Sequence, residues 1–507
     1  MTTLETTQSG PVPAAEIAIP RCLTALFFQL EQQRVSYCYW KSSRRIWSAL
    51  SGASDVDLLV APSDLHRFEL ILLAQDFRRF STLAHRDHPS IVSFLGFDET
   101  AGRLIHLHVH YRLILGEPLF KNYHVPWERE ILARSVIDPV FQVRTLDAVS
   151  EALLLAVRRS IELSRLDPVS LRSWRSVEEK FALDQENLSE RVDRLALCAL
   201  SGKLLGEDAA NLPGDIVFAA RSSLRAAAAA RQLKRRLAPY RTYNGPEARI
   251  RALSRAAAWA AGAVNKRYLH LPRPWSRRPP GGGRVVSLIG VDGSGKSTAV
   301  ATLTSWLASE LDVMPVYFGT GDGRPSLLLL PLKLLLPLAS LLIGTKPKGS
   351  SHGRVSDQQP GRLYSVLLMV WATVLAMEKR KKLLSAHRGA DRGLFVLTDR
   401  YPQDEIAEFN DGPLLPRLNN VPKWLRGFET RAYALARRLP PDLVLKLVVS
   451  HATAARREPD MSPAVIEQRL VGVTNLKFAG AKVVSIDAQQ PLETVSLALK
   501  REVWRIL

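Results

Sequence analysis

The residues with the clearest chemical role lie just past the middle of the chain, in the segment LIGVDGSGKSTAV. The pattern GxxxxGK followed by Ser or Thr, typical of phosphate-binding loops, is fitted by Gly290, Gly295, Lys296 and Ser297. In such a loop the backbone N–H groups and the N-terminus of the next helix surround a phosphate. The lysine neutralises the β- and γ-phosphate oxygens, and the serine hydroxyl ligates Mg²⁺. The pattern therefore predicts a nucleotide site, to which we also assign Asp292, Gly293, Ser294 and Thr298.

A second candidate pair, Asp399 and Arg400, ends the apolar run GLFVLTDRYPQ. A carboxylate at the C-terminal end of a strand can hold Mg²⁺ or its water ligands, and a guanidinium can bridge donor and acceptor phosphates. Phosphoryl transfer depends on charge neutralisation and positioning more than on covalent catalysis. The residue types thus favour a magnesium-dependent phosphotransferase, with a structural ion pair between Asp399 and Arg400 as the alternative.

Together these segments resemble the thymidylate kinase branch of the nucleoside monophosphate kinases. The string GVDGSGKST matches its loop and Asp399–Tyr401 its DRY motif, and PPDLVLKLVVSHATAARREPD places Arg456 and Arg457 where its lid arginines fall. The resemblance extends over 284–507. It implies a P-loop nucleoside monophosphate kinase fold with a parallel sheet, and ATP and Mg²⁺ as cofactors. The implied catalytic residues are Lys296, Asp399, Arg400 and Arg456, with Ser297 and Asp399 at the metal.

The acceptor is less well defined than the donor. Thymidylate kinases carry a REPG-type motif after the second strand, but this chain has VYFGTGDGRPS at 316–326, with Arg324 at a different spacing. The stretch FNDGPLL at 409–415 also departs from the family pattern, whereas Asp292 resembles the acid that faces the acceptor sugar. The sequence leaves open dTMP or another small phosphorylated or hydroxyl-bearing acceptor. A non-catalytic protein that senses ATP is the competing class.

An independent candidate site lies near the N-terminus. Asp55 and Asp57 are two residues apart in a predicted strand, so both carboxylates project to one face, as two-metal nucleotidyl transfer requires. The surrounding segment, YWKSSRRIWSALSGASDVDLLV, resembles nucleotidyltransferases of the polymerase-β type. That resemblance implies that Gly52 and Ser54 contact a triphosphate. It departs from the family where HLHVHYRL puts His108 in the position of the third carboxylate.

The three histidines of this second strand, His106, His108 and His110, alternate with apolar residues and so share one face. Neutral imidazole can ligate a metal, but it cannot supply the charge that offsets two Mg²⁺ ions. Three interpretations of this domain remain open. It could be an active nucleotidyltransferase in a bifunctional enzyme with a sugar- or lipid-linked acceptor. The other two are a degenerate scaffold and a domain that binds a softer metal. The candidate metal ligands here are Asp55, Asp57 and His108.

A chain of 507 residues is longer than one hydrophobic core usually organises, so the elements that position these residues must form more than one domain. We predict an α/β protein in which a helical extension separates two candidate domains. Its parts are a disordered tail at 1–19, an α+β nucleotidyltransferase-like domain at 20–145, a helical subdomain at 146–270, a Pro/Gly-rich linker at 271–284 and a kinase-like domain at 285–507.

Composition narrows the class of partner. The chain has 69 Lys and Arg residues against 49 Asp and Glu, which gives a net charge of +20 and favours anionic partners. The basic helical segments carry no interleaved aromatic residues to stack bases, which argues against nucleic-acid binding. The three cysteines form no CxxC pair, and the N-terminus lacks a secretory signal pattern, so we expect a cytoplasmic protein.

One apolar segment suggests a membrane-peripheral location. Leu327–Ile343, LLLLPLKLLLPLASLLI, contains two prolines and a lysine and is shorter than the roughly 20 residues of a spanning helix. Together with the basic charge it suggests contact with an anionic membrane or a lipid-linked acceptor. The alternatives are a buried helix and a self-associating helix in a homodimer. A second run, Leu363–Met377, is predicted to be a core helix.

Overall fold

The computed structural model describes residues 19–116, 121–162, 168–220, 223–269, 271–319, 362–406, 412–415, 421–459 and 461–507. The chain forms two compact units: the first ends at Ala261, and the second begins at Gly262 and also takes residues 81–83. Both contain helices and strands, and one sheet is entirely parallel, so the predicted α/β class with a parallel sheet is confirmed. Of the tail predicted at 1–19, residues 1–18 lie outside the described residues.

The first unit is built on a mixed sheet. Its strands are β1 (Tyr37–Tyr39), β2 (Val56–Val60), β3 (Arg78–Thr82), β4 (Ile91–Asp98), β5 (Arg103–His110), β6 (Ile114–Leu115), β7 (Tyr123–His124), β8 (Val136–Ile137) and β9 (Arg144–Thr145). They pair in the order β3-β4-β5-β2-β1-β9-β8, with β6 and β7 as a separate hairpin. Strands β2 and β5 are parallel and place Asp57 opposite His108, whereas β4 is antiparallel to β5.

Helices cover both faces of this sheet. They are α1 (Arg21–Gln32), α2 (Ile46–Leu50), α3 (Leu65–Ala74), α4 (Glu128–Ala133), α5 (Ala148–Glu162), α6 (Pro168–Arg191), α7 (Arg194–Leu205), α8 (Leu212–Val217), α9 (Leu224–Arg236) and α10 (Gly245–Val264). Alternation along β2 sends Leu58 to a core shared with α1 and α3, and Leu59 to a core shared with α5 and α7. Of the helical segment predicted at 146–270, the part up to Ala261 therefore belongs to the same unit as the sheet, and the remainder to the second unit.

The second unit contains a five-stranded parallel sheet. Its strands are β11 (Arg284–Gly290), β12 (Val313–Tyr317), β13 (Phe395–Asp399), β14 (Leu443–Val448) and β15 (Lys482–Asp487). The short strand β10 (Arg277–Arg278) lies outside this sheet and pairs antiparallel with residues 81–82. The sheet order is β12-β13-β11-β14-β15. Mostly apolar runs such as VVSLI in β11 and LVLKL in β14 are buried, as expected for parallel strands covered on both faces. Because β11 lies between β13 and β14, the ends of all three strands meet at one edge.

The helices of the second unit flank that sheet. They are α11 (Lys296–Ala308), α12 (Arg362–Asp391), α13 (Lys423–Arg438), α14 (His451–Arg457), α15 (Pro463–Asn475) and α16 (Leu492–Ile506). Helix α12 includes the predicted core run 363–377. Among the side chains that the structure describes there, Ala372 and Ala376 are inaccessible, whereas Val366 is 53% exposed. These side chains place part of the run in the core and part at the surface.

The predicted linker at 271–284 is part of the second unit. The backbone N–H groups of Trp275 and Ser276 both donate to Asp312 Oδ2 at 2.6 Å, and Arg277 pairs with Glu310 at 2.6 Å. A Cβ at Gly283 would lie 2.1 Å from the Leu394 carbonyl oxygen, so glycine is needed there for close backbone approach. The boundary between the units falls earlier, at Ala261.

The apolar segment Leu327–Ile343 lies outside the described residues, as does most of 316–326. None of the helices in the described part of the chain is both long enough and apolar enough to cross a membrane.

Candidate nucleotide site

The glycine-rich loop joins β11 to α11 at the edge where the parallel strands end. A Cβ at Gly290 would lie 2.4 Å from Ser294 Oγ and 2.9 Å from the Leu447 carbonyl oxygen. Gly293 and Gly295 adopt φ angles of +75° and +90°, a region that side chains with a Cβ rarely occupy. Each glycine of the sequence pattern is therefore required by the local backbone, at Gly290 for space and at the other two for conformation.

The loop leads directly into the N-terminus of α11, which starts at Lys296. The first N–H groups of a helix lack intrahelical acceptors and favour an anion. Lys296 is only 7% exposed, and its ammonium donates to the Val291 carbonyl oxygen at 2.7 Å. Ser297 and Thr298 follow in the first turn and are exposed. This end of the helix thus combines backbone donors with a buried positive charge.

A hydroxyl and a carboxylate converge beside the loop. Asp399 ends β13, which pairs in parallel with β11, and Ser297 Oγ donates to Asp399 Oδ2 at 2.9 Å. Asp399 is 6% exposed, and its other oxygen, Oδ1, is buried without a hydrogen-bond partner among the described residues. The two predicted metal residues, Ser297 and Asp399, are thus in direct contact. Hard divalent cations prefer oxygen ligands of this kind.

Arg400 turns from the same strand toward the loop. Its backbone has φ +69°, which for a residue other than glycine costs roughly 1–3 kcal/mol, and its N–H donates to the Leu288 carbonyl oxygen at 3.0 Å. The guanidinium donates to Asp292 Oδ1 at 2.8 Å. This backbone conformation brings the arginine of the DRY segment onto the loop, where it pairs with Asp292.

Asp292 is surrounded by positive charge. Arg469 of α15 donates to Asp292 Oδ2, and Lys296 Nζ lies 4.0 Å from Oδ1. Burial raises the pKa of Asp292, but the charges of Arg400, Lys296 and Arg469 outweigh it and hold that pKa below its usual value. Three positive charges therefore gather around Asp292 at the loop, an arrangement that suits a polyphosphate.

The two arginines of the predicted lid behave differently. Both lie in the short helix α14, whose N-terminus is capped by Ser450 through Thr453 N–H. Arg457 donates to the Gly293 carbonyl oxygen at 2.9 Å. Arg456 is exposed and makes no hydrogen bond or ion pair with the loop in the described part of the chain. The structure thus brings Arg457 to the site, and Arg469, which the sequence did not indicate.

The N-terminal candidate residues lie in the first unit. His106 Nδ1 lies 2.7 Å from Asp55 Oδ1, and His108 Nδ1 lies 3.1 Å from Asp57 Oδ1. Nearby, Ser54 Oγ is 3.2 Å from Ser48 Oγ, and Gly52 has φ +75°. Asp55 thus lies beside His106, and Asp57 beside His108 and, at 3.7 Å, His110.

The second unit is thus an α/β unit whose glycine-rich loop, buried lysine and adjacent carboxylate lie at one edge of a parallel sheet. No family model matches this chain. The chain is similar to two proteins of Escherichia coli strain K12 that are named uncharacterized ATP-binding proteins. YghS is 28% identical over 229 residues, which cover 44% of this chain and 94% of YghS. YghR is 26% identical over 221 residues, which cover 42% of this chain and 83% of YghR.

Proposed function

We propose that the second unit is a P-loop kinase of the thymidylate kinase type, which binds ATP with Mg²⁺ and transfers its γ-phosphoryl group to a small acceptor. The resemblance of YghS and YghR, both named as ATP-binding proteins, supports the nucleotide. The loop supports it independently, because its glycine conformations and the helix N-terminus behind it suit a polyphosphate.

The observation that carries the proposal is the contact between Ser297 Oγ and Asp399 Oδ2 at 2.9 Å, next to a buried Asp399 Oδ1 that has no hydrogen-bond partner among the described residues. Burying a carboxylate oxygen without a partner is unfavourable unless a cation or donor satisfies it. Hydroxyl and carboxylate oxygens are the ligands that Mg²⁺ prefers. The residues therefore fit the metal that the nucleotide requires.

The chain's own residues supply binding, charge and orientation. Backbone N–H groups of the loop hold the β-phosphate, while Lys296 neutralises the β/γ oxygens. Arg400, Arg457 and Arg469 add guanidinium groups that stabilise negative charge on the transferred group and orient it for in-line attack. Mg²⁺, held through Ser297 and Asp399, would add positive charge to the phosphate oxygens.

The acceptor is a small molecule with a phosphate or a hydroxyl group, dTMP among the candidates. Asp292 is the residue through which an acceptor hydroxyl would be held, since a carboxylate accepts hydrogen bonds and this one remains ionised. The positive charge of Arg400 and Arg469 on either side suits an acceptor that carries its own phosphate.

We do not extend the enzyme assignment to the first unit. Two-metal nucleotidyl transfer needs several carboxylates to offset two Mg²⁺ ions. Here the Lys41 ammonium already lies 3.8 Å from Asp57 Oδ1, and His108 stands in the position of the third carboxylate. This balance of charge argues against a bifunctional enzyme.

An acceptor screen tests the proposal. Purified full-length protein is incubated with ATP and Mg²⁺ alone and with nucleoside monophosphates, sugars and lipid-linked acceptors, and ADP formation is measured. We expect ADP release to rise with at least one acceptor class and to disappear when Mg²⁺ is chelated. ATP binding without turnover for any acceptor would favour the competing class, a non-catalytic protein that senses ATP.

A further inference from the structure

The first unit contains a cluster of three potential metal ligands on one face of its sheet. Parallel pairing of β2 and β5 sets Asp57 opposite His108, and His110 is the next residue of β5 on that face. Asp57 Oδ1 lies 3.1 Å from His108 Nδ1 and 3.7 Å from His110 Nε2. One ligand atom from each residue falls within 4.8 Å of the other two.

His110 provides a second observation that points to a ligand. Its side chain is fully buried, and neither ring nitrogen has a hydrogen-bond partner among the described residues. The ring of Trp40 packs against it edge-on, with 4.7 Å between centroids. Polar groups in protein interiors are nearly always hydrogen-bonded or coordinated. Because its Nε2 faces Asp57, coordination of an ion held by that carboxylate would satisfy it.

The ionisation of the three side chains suits metal binding. Burial lowers the pKa of His108 and, further still, that of His110, which favours the neutral form of both rings. Burial raises the pKa of Asp57, but Lys41 and the two histidines outweigh it, so that pKa lies well below the usual value. Two neutral imidazoles and one carboxylate are a ligand set that binds zinc and related ions.

We propose that Asp57 Oδ1, His108 Nδ1 and His110 Nε2 bind one first-row divalent transition-metal ion, with Zn²⁺ as the probe of choice. Tetrahedral coordination with metal–ligand bonds of about 2.0–2.2 Å places ligand atoms about 3.4 Å apart. The distances of 3.1 and 3.7 Å lie on either side of that value. The His108 tautomer with its proton on Nε2 leaves Nδ1 free to coordinate.

The site differs from the one that the sequence suggested for magnesium. Mg²⁺ prefers oxygen ligands and keeps several waters, whereas imidazole suits zinc, copper, iron and nickel. The His108 side chain is 25% exposed and that of Asp57 17%, so an ion can reach them from solvent. Three protein ligands leave a fourth position for water or a substrate atom.

Lys41 provides a test that does not remove a ligand. Its ammonium lies 3.8 Å from Asp57 Oδ1 and therefore competes with a metal ion for that oxygen. Replacing it with methionine keeps most of the side-chain volume but removes the charge. The Lys41→Met variant should therefore bind the ion more tightly than the wild type does.

The experiment uses the full chain, stripped of metal with a chelator. Zn²⁺ binding is measured against a chromophoric chelator, and Co²⁺ binding by its visible absorption, which reports coordination geometry. We expect Asp57→Asn and His108→Gln to weaken Zn²⁺ binding on the order of tenfold or more. His66→Gln, at an exposed histidine of the same unit, is the matched control and should bind as the wild type does.

The proposal does not depend on the kinase assignment, because the experiment measures only metal binding. It is overturned if the wild type binds no Zn²⁺, if Asp57→Asn and His108→Gln bind as well as His66→Gln, or if millimolar Mg²⁺ displaces the ion. Circular dichroism checks that the variants fold. If a ligand variant fails to fold, Lys41→Met decides, because unchanged or weaker binding would place the ion away from Asp57.

Discussion

Replacing Asp292 by asparagine should lower the stability of the second unit and strengthen ATP binding at the same time. Its carboxylate holds the guanidinium groups of Arg400 and Arg469, and Lys296 lies 4.0 Å away. A hydrogen bond to a charged group contributes about 1.5–3 kcal/mol when buried, but surface ion pairs contribute less than about 1 kcal/mol. Since Asp292 is 32% exposed and asparagine keeps one acceptor oxygen, we expect a loss of about 1–2 kcal/mol.

The effect on ATP has the opposite sign. Loss of the negative charge takes one counter-charge away from the three cations at the loop and removes a repulsion of the phosphates. For charges about 8 Å apart and an effective dielectric constant of about 40, that repulsion is about 1 kcal/mol, or about fivefold in affinity. Added salt should reduce this gain, because the site is partly open to solvent.

Calorimetry measures both quantities for Asp292. In a thermal scan, the transition of the second unit is identified as the one that shifts when ATP is added. Isothermal titration gives the affinity for ATP. Asp391→Asn, at an exposed aspartate of the same unit, is the control and should change neither value. Unchanged stability together with weaker ATP binding in Asp292→Asn would refute the assignment of Asp292 as a structural counter-ion of the loop.

Three further changes test the same site. Gly290→Ala should cost about 1–3 kcal/mol because its Cβ would meet Ser294 and the Leu447 carbonyl, whereas Gly427→Ala in α13, where a Cβ has ordinary contacts, should be neutral or stabilising in denaturant titrations. In the folded protein the pKa of Asp292 lies below its unfolded value of 3.8, so its contribution to stability is present above pH 3.8 and is lost as the pH falls through the folded pKa. Acid unfolding followed by circular dichroism should show this loss in the wild type but not in Asp292→Asn. Asp399→Asn should raise the Mg²⁺ concentration needed for half-maximal ADP formation roughly tenfold or more, and an unchanged requirement would mean that Asp399 does not hold the metal.

Much of the second unit follows from local sequence. Apolar runs of strand length between helical segments predict a parallel sheet, and the glycines of the loop occur where the backbone needs them. The neighbouring ends of β11 and β13 also explain why Ser297 and Asp399 meet, although they are far apart in sequence. These features depend on periodicity and backbone conformation, which short segments determine.

Other contacts depend on tertiary packing and have no local signal. Arg469 reaches Asp292 from α15, and nothing in the segment PAVIEQRLVGVTN marks it as part of a phosphate site. Arg456 and Arg457 are adjacent on a helix and point about 100° apart, so a shift of one residue decides which reaches the loop. The segment 271–284 has linker composition, yet Asp312, remote in sequence, accepts hydrogen bonds from it.

In the nucleotidyltransferase-like segment, too, local sequence predicts part of the site and tertiary packing determines the rest. Alternation in HLHVH was enough to predict that the three histidines share a face, and the pairing of β2 with β5 sets two of them beside the aspartates. The sequence did not single out His110 as a ligand. Its complete burial and its position near Asp57 emerge only when α5 and its neighbours cover that face of the sheet.

The most direct test of the central claim is γ-phosphoryl transfer by the Lys296→Ala variant. Wild type, Lys296→Ala and the exposed control Lys423→Ala are compared for transfer of labelled γ-phosphate from ATP to the acceptor that best stimulates ADP release. Because Lys296 neutralises charge that develops during transfer, we predict that Lys296→Ala loses at least about 100-fold in rate, while Lys423→Ala keeps the wild-type rate. Equal rates for Lys296→Ala and the wild type, in a variant with unchanged circular dichroism, would contradict a phosphotransferase site at this loop.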